Sequence, residues 1–278
     1  MNLEQYMGER IPEVLTTAEE KEIYQVNWEQ LHINYGDNVE WQRLKKQILL
    51  CDVTRDYLYK EPHFVKYRKG TRPWLEQAVE TVIKNCTTER EKVLAILIYC
   101  RDLYKTHDEQ LFYGGTEEEL IKKGENLCEC MGRLMVSLCE ICGLPGRIVM
   151  HVVGGHIVCE IFLEGSWSYF DPRCGMFYLD ENDKFLSIDE LVKNPKYILE
   201  QKEWVRQFVS SKWTYKQRMY RNYNLLFSKK EIQCFCDYSL MDANEYNYDW
   251  KSLKNAERDG LFVINKRYDE LAELIFGV

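Results

Sequence analysis

Apolar positions along this chain follow two rhythms in succession. Val93, Ile96, Leu97, Cys100 and Tyr104 recur at the three- and four-residue steps that line one face of an α-helix. Thr88 and Glu91 ahead of them form a capping box, in which hydroxyl and carboxylate each satisfy a backbone N–H. A helix is therefore expected from Thr88 to about Lys105. Three more boxes, Thr17/Glu20, Thr116/Glu119 and Ser187/Glu190, mark other helix starts. The third box in chain order opens a short helix closed by Gly124, after a turn at Gly114-Gly115. Residues 126–142 predict the next helix, with Met131, Leu134, Met135, Leu138 and Cys142 on one stripe and Gly143 beyond its end.

The rhythm then shifts to strands. Ile148–Val153 is a β-rich run ending at Gly154-Gly155, and His156–Leu163, Glu164-Gly165 and Ser166–Phe170 read as a hairpin. Residues 1–86 read as helices interrupted by Pro12, Pro62 and Pro73, and the chain from about Leu186 reads as mostly helical. Asp237–Asp249 is a loose stretch rich in Asn, Asp and Tyr. Helices, then strands, then helices predict an α+β fold, divided as a helical region 1–86, a core 87–182 and a mostly helical region 183–278.

Composition narrows the setting. Hydrophobic residues at 45% and charged residues at 29%, with seven Trp and nineteen Tyr, describe a globular chain able to fill a core. The longest apolar run, Val93–Cys100, is too short to cross a bilayer, and the N-terminus lacks a secretory pattern. Eleven cysteines without framework spacing suit a reducing compartment, so a cytoplasmic protein is expected. A net charge of −8 disfavours nucleic acid as a general partner. Lys196–Lys230 departs from that balance, with nine basic and two acidic residues interleaved with Trp204, Trp213, Tyr215, Tyr220 and Tyr223. A basic aromatic surface of this kind suits single-stranded nucleic acid. A helix burying Trp204 and Phe208 with its charges in solvent is the simpler reading.

Cys128, His156 and Asp171 hold the candidate chemistry. A nucleophilic cysteine acts as its thiolate, and the first turn of a helix lowers the thiol pKa through unpaired N–H groups and the helix dipole. Asn126 as N-cap places Cys128 in that turn. A nearby histidine serves as base and then acid, and an aspartate fixes its tautomer. Strand alternation tests the pair: with a two-residue loop at 164–165, Phe162 faces Trp167, Glu160 faces Tyr169 and Val158 faces Asp171. His156 and Asp171 are then diagonal neighbours about 7–8 Å apart on one face. A three-residue loop without a bulge separates them to opposite faces. Cys130 is a rival nucleophile and His151 a rival base. Cys139-x-x-Cys142 and Cys234-x-Cys236 lack a partner pair at zinc spacing, so no metal or other cofactor is expected.

These motifs resemble the transglutaminase-like superfamily, whose papain-like core runs Cys-helix, His-strand, Asp-strand. The family's nucleophile helix begins Gly-x-Cys and ends Gly-Ile-Pro-x-Arg, and here Cys128 lies fifteen residues before Gly143-Leu144-Pro145-Gly146-Arg147. Gly132 stands where the family usually has Ala. His156-Ile157-Val158-Cys159-Glu160-Ile161 parallels its His-Ala-Trp-x-Glu-Val, and Gly165-Ser166-Trp167-Ser168-Tyr169-Phe170-Asp171-Pro172-Arg173 parallels Gly-x-Trp-x-x-x-Asp-Pro-Thr. The likeness covers about residues 86–180. It departs at Asn126 for Gly, Val158 for Trp and Arg173 for Thr.

The resemblance implies an antiparallel sheet packed on the nucleophile helix. It implies acyl transfer on an amide through a thioester, with Cys128 attacking, His156 moving the proton and Asp171 orienting His156. The Cys128 backbone N–H supplies one oxyanion donor. Hydrolysis of a peptide or isopeptide amide is expected ahead of cross-linking, with a protein or peptide as substrate and no membrane partner. The alternative is a non-catalytic member whose core binds or assembles.

Overall fold

The computed structural model describes residues 47–49, 52–62, 66–103, 116–124, 128–151, 156–209, 215–221, 236–240 and 243–244. Strand β1 (Gln47–Leu49) and helix α1 (Asp52–Tyr59) come first, then α2 (Pro73–Val82), α3 (Glu89–Asp102), α4 (Glu117–Lys123) and α5 (Cys128–Ile141). Strands β2 (Gly146–His151), β3 (His156–Leu163), β4 (Ser166–Asp171) and β5 (Met176–Phe177) follow. Short helices α6 (Ile188–Lys193), α7 (Glu203–Arg206) and α8 (Tyr215–Arg221) precede β6 (Cys236–Leu240). The fold is α+β.

Local chemistry sets the helix starts. At α3 the Thr88 hydroxyl accepts from Glu91 N–H at 3.1 Å while the Glu91 carboxylate accepts from Thr88 N–H at 3.0 Å. Thr116/Glu119 and Ser187/Glu190 form complete boxes in the same way, and Gly124 follows α4 with φ 69°. Thr17/Glu20, Gly114-Gly115 and Tyr104-Lys105 lie outside the described residues. Helix α5 departs from the one-stripe expectation. Every residue from Cys130 to Glu140 is buried, because α2, α3 and α4 pack around it while β2 and β3 cover its remaining side. Its surroundings, more than its own periodicity, decide which of its positions are dry.

Antiparallel neighbours build one six-stranded sheet in the order β1-β6-β2-β3-β4-β5. The sheet is wider than the sequence pattern predicts. Part of the stretch read as loose is strand β6, which sits between β1 and β2 with Ile148 opposite Ser239 and Gln47 opposite the same residue. Its hydrogen-bond partners lie far away in sequence, so nothing local announces it. Strand β2 spans Gly146–His151, and Val152–Gly155 fall outside the described residues.

The hairpin has the expected register: Phe162 faces Trp167 and Glu160 faces Tyr169. Glu164 and Gly165 both have positive φ, 51° and 79°, the twist a tight two-residue turn requires. On one sheet face Ile148, Ile157, Cys159, Ile161, Leu163 and Phe170 join the helical core. The other face is covered as well, which explains why β3 is buried almost throughout. There Glu160 accepts from Arg147 Nε at 2.9 Å, Ile188 N–H at 2.7 Å and Tyr59 O–H at 3.1 Å. Arg147 also reaches the Leu58 carbonyl and lies over the Trp167 ring at 3.9 Å. Trp167 Nε1 donates to the Lys60 carbonyl at 3.1 Å. A fully dry ion pair is tolerated here because each charge has several partners.

Among its described residues, the basic stretch from Lys196 forms a 3-10 turn and two short helices rather than one long helix. Trp204 rests against Phe177 and Phe208 with ring centroids 5.8 and 6.0 Å apart, while remaining 38% exposed. The solvated-charge reading fails at Arg218, which is buried. Trp213, Tyr223 and the Tyr220 side chain lie outside the described residues.

Candidate active site

Three elements of the core converge on one spot. Cys128 is the first residue of the fourteen-residue helix α5, His156 the first of β3 and Asp171 the last of β4. Helix α5 runs along β3, so its N-terminus meets the start of that strand. Gly132, one turn into the helix, lies close to the Val158 carbonyl. The hairpin register carries Asp171 to the same end of the sheet.

His156 Nε2 and Asp171 Oδ2 are 2.8 Å apart, and both side chains are buried. Burial drives the Asp171 carboxyl up, but His156, Arg218 and Arg173 more than reverse this and hold it well below the carboxylate range. Burial likewise drives the His156 imidazole down, and the adjacent Asp171 charge, helped by Cys128, lifts it above its ordinary value. The Cys128 thiol, which is only partly covered, also feels burial pushing it up. The His156 ring, the Ile157 backbone N–H and the Arg173 charge together bring it below an ordinary thiol. A lowered thiol beside a raised imidazole favours the thiolate–imidazolium pair.

The contrast with the other cysteines is sharp. Cys130 and Cys139 are buried in the core and Cys142 packs against it. Burial pushes the thiol of Cys139 up strongly and that of Cys142 up to about 11. Cys128 thus differs from its helix neighbours by its position at the helix start and its histidine partner. His151 ends β2 opposite His156, and its side chain lies outside the described residues, as do Asn126 and Cys234. Among the described residues, no three of His, Cys, Asp and Glu come together as a group able to hold a metal ion.

Behind Asp171 the chain makes a tight turn. The Asp171 carbonyl accepts from Cys174 N–H at 3.2 Å and Gly175 N–H at 2.8 Å. Gly175 has φ 73°, and a Cβ there would stand 2.3 Å from the Phe208 carbonyl oxygen, so only glycine fits. Arg218 of α8 closes on this turn through Cys174 Sγ. Sequence reasoning missed Arg218 because one arginine among nine basic residues carries no local mark of burial.

Residues 76–172 match the core of the transglutaminase-like superfamily. No curated protein and no solved structure matches the chain. Among the described residues, no helix is long and apolar enough to cross a membrane.

Proposed function

We propose that this transglutaminase-like core is a cysteine-dependent acyl-transfer site that acts on an amide. The observation that carries the reading is the 2.8 Å His156–Asp171 contact beside a helix-terminal cysteine whose thiol is lowered. With Nε2 committed to Asp171, the ring nitrogen left for Cys128 is Nδ1. The Cys128 thiolate attacks the amide carbonyl carbon, and the electron pair of the C=O bond moves to oxygen. The Cys128 backbone N–H, which at the helix start has no intrahelical carbonyl to pair with, is one donor to that oxyanion. The imidazolium of His156 then gives its proton to the leaving nitrogen as the C–N bond breaks. A thioester on Cys128 and a free amine result.

Water, deprotonated by His156, attacks the thioester, releasing a carboxylic acid and restoring the thiol. An amine in place of water gives a new amide. We give precedence to hydrolysis of a peptide or isopeptide amide, a preference that rests on the superfamily likeness. Asp171 holds the imidazole in its productive orientation and stabilises its cation.

Alkylation of Cys128 by iodoacetamide across pH, in wild type, Cys128→Ala and His156→Ala, tests the reading. Fast labelling below pH 7 that slows without His156 is expected. Labelling at the rate of an ordinary thiol, unchanged in His156→Ala, would leave the binding-module alternative standing. A screen of peptide and isopeptide donors with water or amines then identifies the acceptor.

A further inference from the structure

We infer that Arg218, from outside the matched core, is a positioning residue for the candidate site: through its contact with Cys174 it clamps the turn behind Asp171 and holds a fixed positive charge at that turn. The inference rests on the Cys128–His156–Asp171 reading and adds a fourth participant to it. Arg218 is 2% exposed, although arginine is among the residues least often buried. Its Nε donates to Cys174 Sγ at 2.8 Å, and its Nη2 approaches the same sulfur more closely. Cys174 is itself fully buried on the turn closed by the Asp171 carbonyl.

The same turn is held from a second side. Arg101 of α3 donates to the Phe208 carbonyl at 2.7 Å, and both groups press against Gly175. Between these contacts the backbone that follows Asp171 has little room to move. Asp171 Oδ2 is taken by His156, while Oδ1 is buried with no hydrogen-bond partner among the described residues. A buried carboxylate in that state needs compensating charge. His156 on β3, Arg173 on the turn and Arg218 on α8 are the groups that provide it. Tyr169, Cys159 and Cys174 also feel the Asp171 charge, and burial keeps their hydroxyl and thiols protonated.

Loss of Arg218 therefore frees the turn and leaves Asp171 less firmly placed against His156. The imidazolium then loses support, and so does the Cys128 thiolate beside it. The test is the rate of Cys128 alkylation from pH 5 to 9 in full-length wild type, Arg218→Gln and Arg218→Lys, with circular dichroism to verify folding. Arg218→Gln is expected to slow labelling about tenfold at pH 6–7, one pKa step, and to move the acid limb upward. Arg218→Lys, which keeps a cation able to donate to sulfur, is expected to restore most of the rate.

A wild-type profile in Arg218→Gln overturns the inference. So does faster labelling, which would mean that the guanidinium only competes with His156 for Asp171. Equal slowing in Arg218→Lys also overturns it, since bulk packing alone would then matter. If Arg218→Gln does not fold, Cys174→Ala removes the clamped sulfur while leaving every charge. Slowing by about threefold or more, half a pKa step, then supports the role, and a wild-type profile overturns it. A wild-type Cys128 no more reactive than an ordinary thiol sinks the acyl-transfer reading itself, whereas an activated wild type with an unaffected Arg218→Gln sinks the positioning role alone.

Discussion

Replacing Asp171 with Asn separates charge from shape at the centre of the site. The substitution keeps the size of the side chain and an oxygen near His156 Nε2, but removes the negative charge now 2.8 Å away. A hydrogen bond to a charged group contributes about 1.5–3 kcal/mol. At about 1.36 kcal/mol per pKa step, the imidazolium loses roughly one to two steps of support. The sign follows from the balance of causes. His156 is raised because Asp171 overcomes burial, so without that charge burial prevails and the imidazole falls. Cys128 then faces a neutral ring, its own burial is less opposed, and its thiol rises. Iodoacetamide labelling at pH 7 should fall by roughly 10–100-fold, with the acid limb displaced to higher pH. Mass spectrometry of the Cys128 peptide gives the rate, and thermal melting verifies folding. A folded Asp171→Asn protein with the wild-type pH profile would refute the electrostatic account of Cys128 activation.

Other expectations concern the scaffold. Because the Asp171 carboxyl is held well below its ordinary value, its contribution to stability is complete above about pH 4 and is lost as acid protonates the folded protein. The melting temperature of Asp171→Asn should accordingly change less than wild type between pH 5 and pH 2. Gly132→Ala should stabilise by about 0.5–1 kcal/mol in urea unfolding, since a helix-interior glycine is costly. A Cβ there meets nothing nearer than the Val158 carbonyl oxygen at 3.7 Å. Destabilisation would show that α5 and β3 are closer than described. Glu160→Gln should cost about 3–5 kcal/mol by leaving the buried Arg147 guanidinium without its counter-charge. A cost under about 1 kcal/mol, the range of exposed pairs, would count against a dry site.

What the sequence disclosed was mostly what neighbours in the chain decide. The capping boxes at Thr88, Thr116 and Ser187 need only three-residue spacing and the right side chains, and all three form. The hairpin register is equally local: once Glu164 and Gly165 take positive φ, every cross-strand pair from Phe162/Trp167 onward follows. The wholly buried helix α5 and the strand at Cys236–Leu240 depend instead on what packs beside them. An amphipathic pattern reports how a segment meets one neighbour, and both elements have neighbours on more than one side.

The candidate site divides along the same line. Cys128, His156 and Asp171 stand out because each occupies the end of a locally specified element, and strand alternation limits where two of them can meet. Arg218 has no such signature, since its burial depends on a turn whose glycine accommodates Phe208 and on a sulfur forty-four residues away in sequence. The two kinds of residue also differ in what their loss would do. On the proposed acyl-transfer reading, removing a member of the first group removes a chemical role, whereas removing Arg218 leaves each role filled but alters the field and freedom in which Asp171 works. A pH profile distinguishes these cases because lost chemistry lowers the whole curve and a displaced charge moves its limbs. The β6 strand and helix α8 bring the flanking sequence against a core that reads as self-sufficient in its motifs. On the proposed role of Arg218, the flank that supplies α8 takes part in tuning the Cys128 thiol.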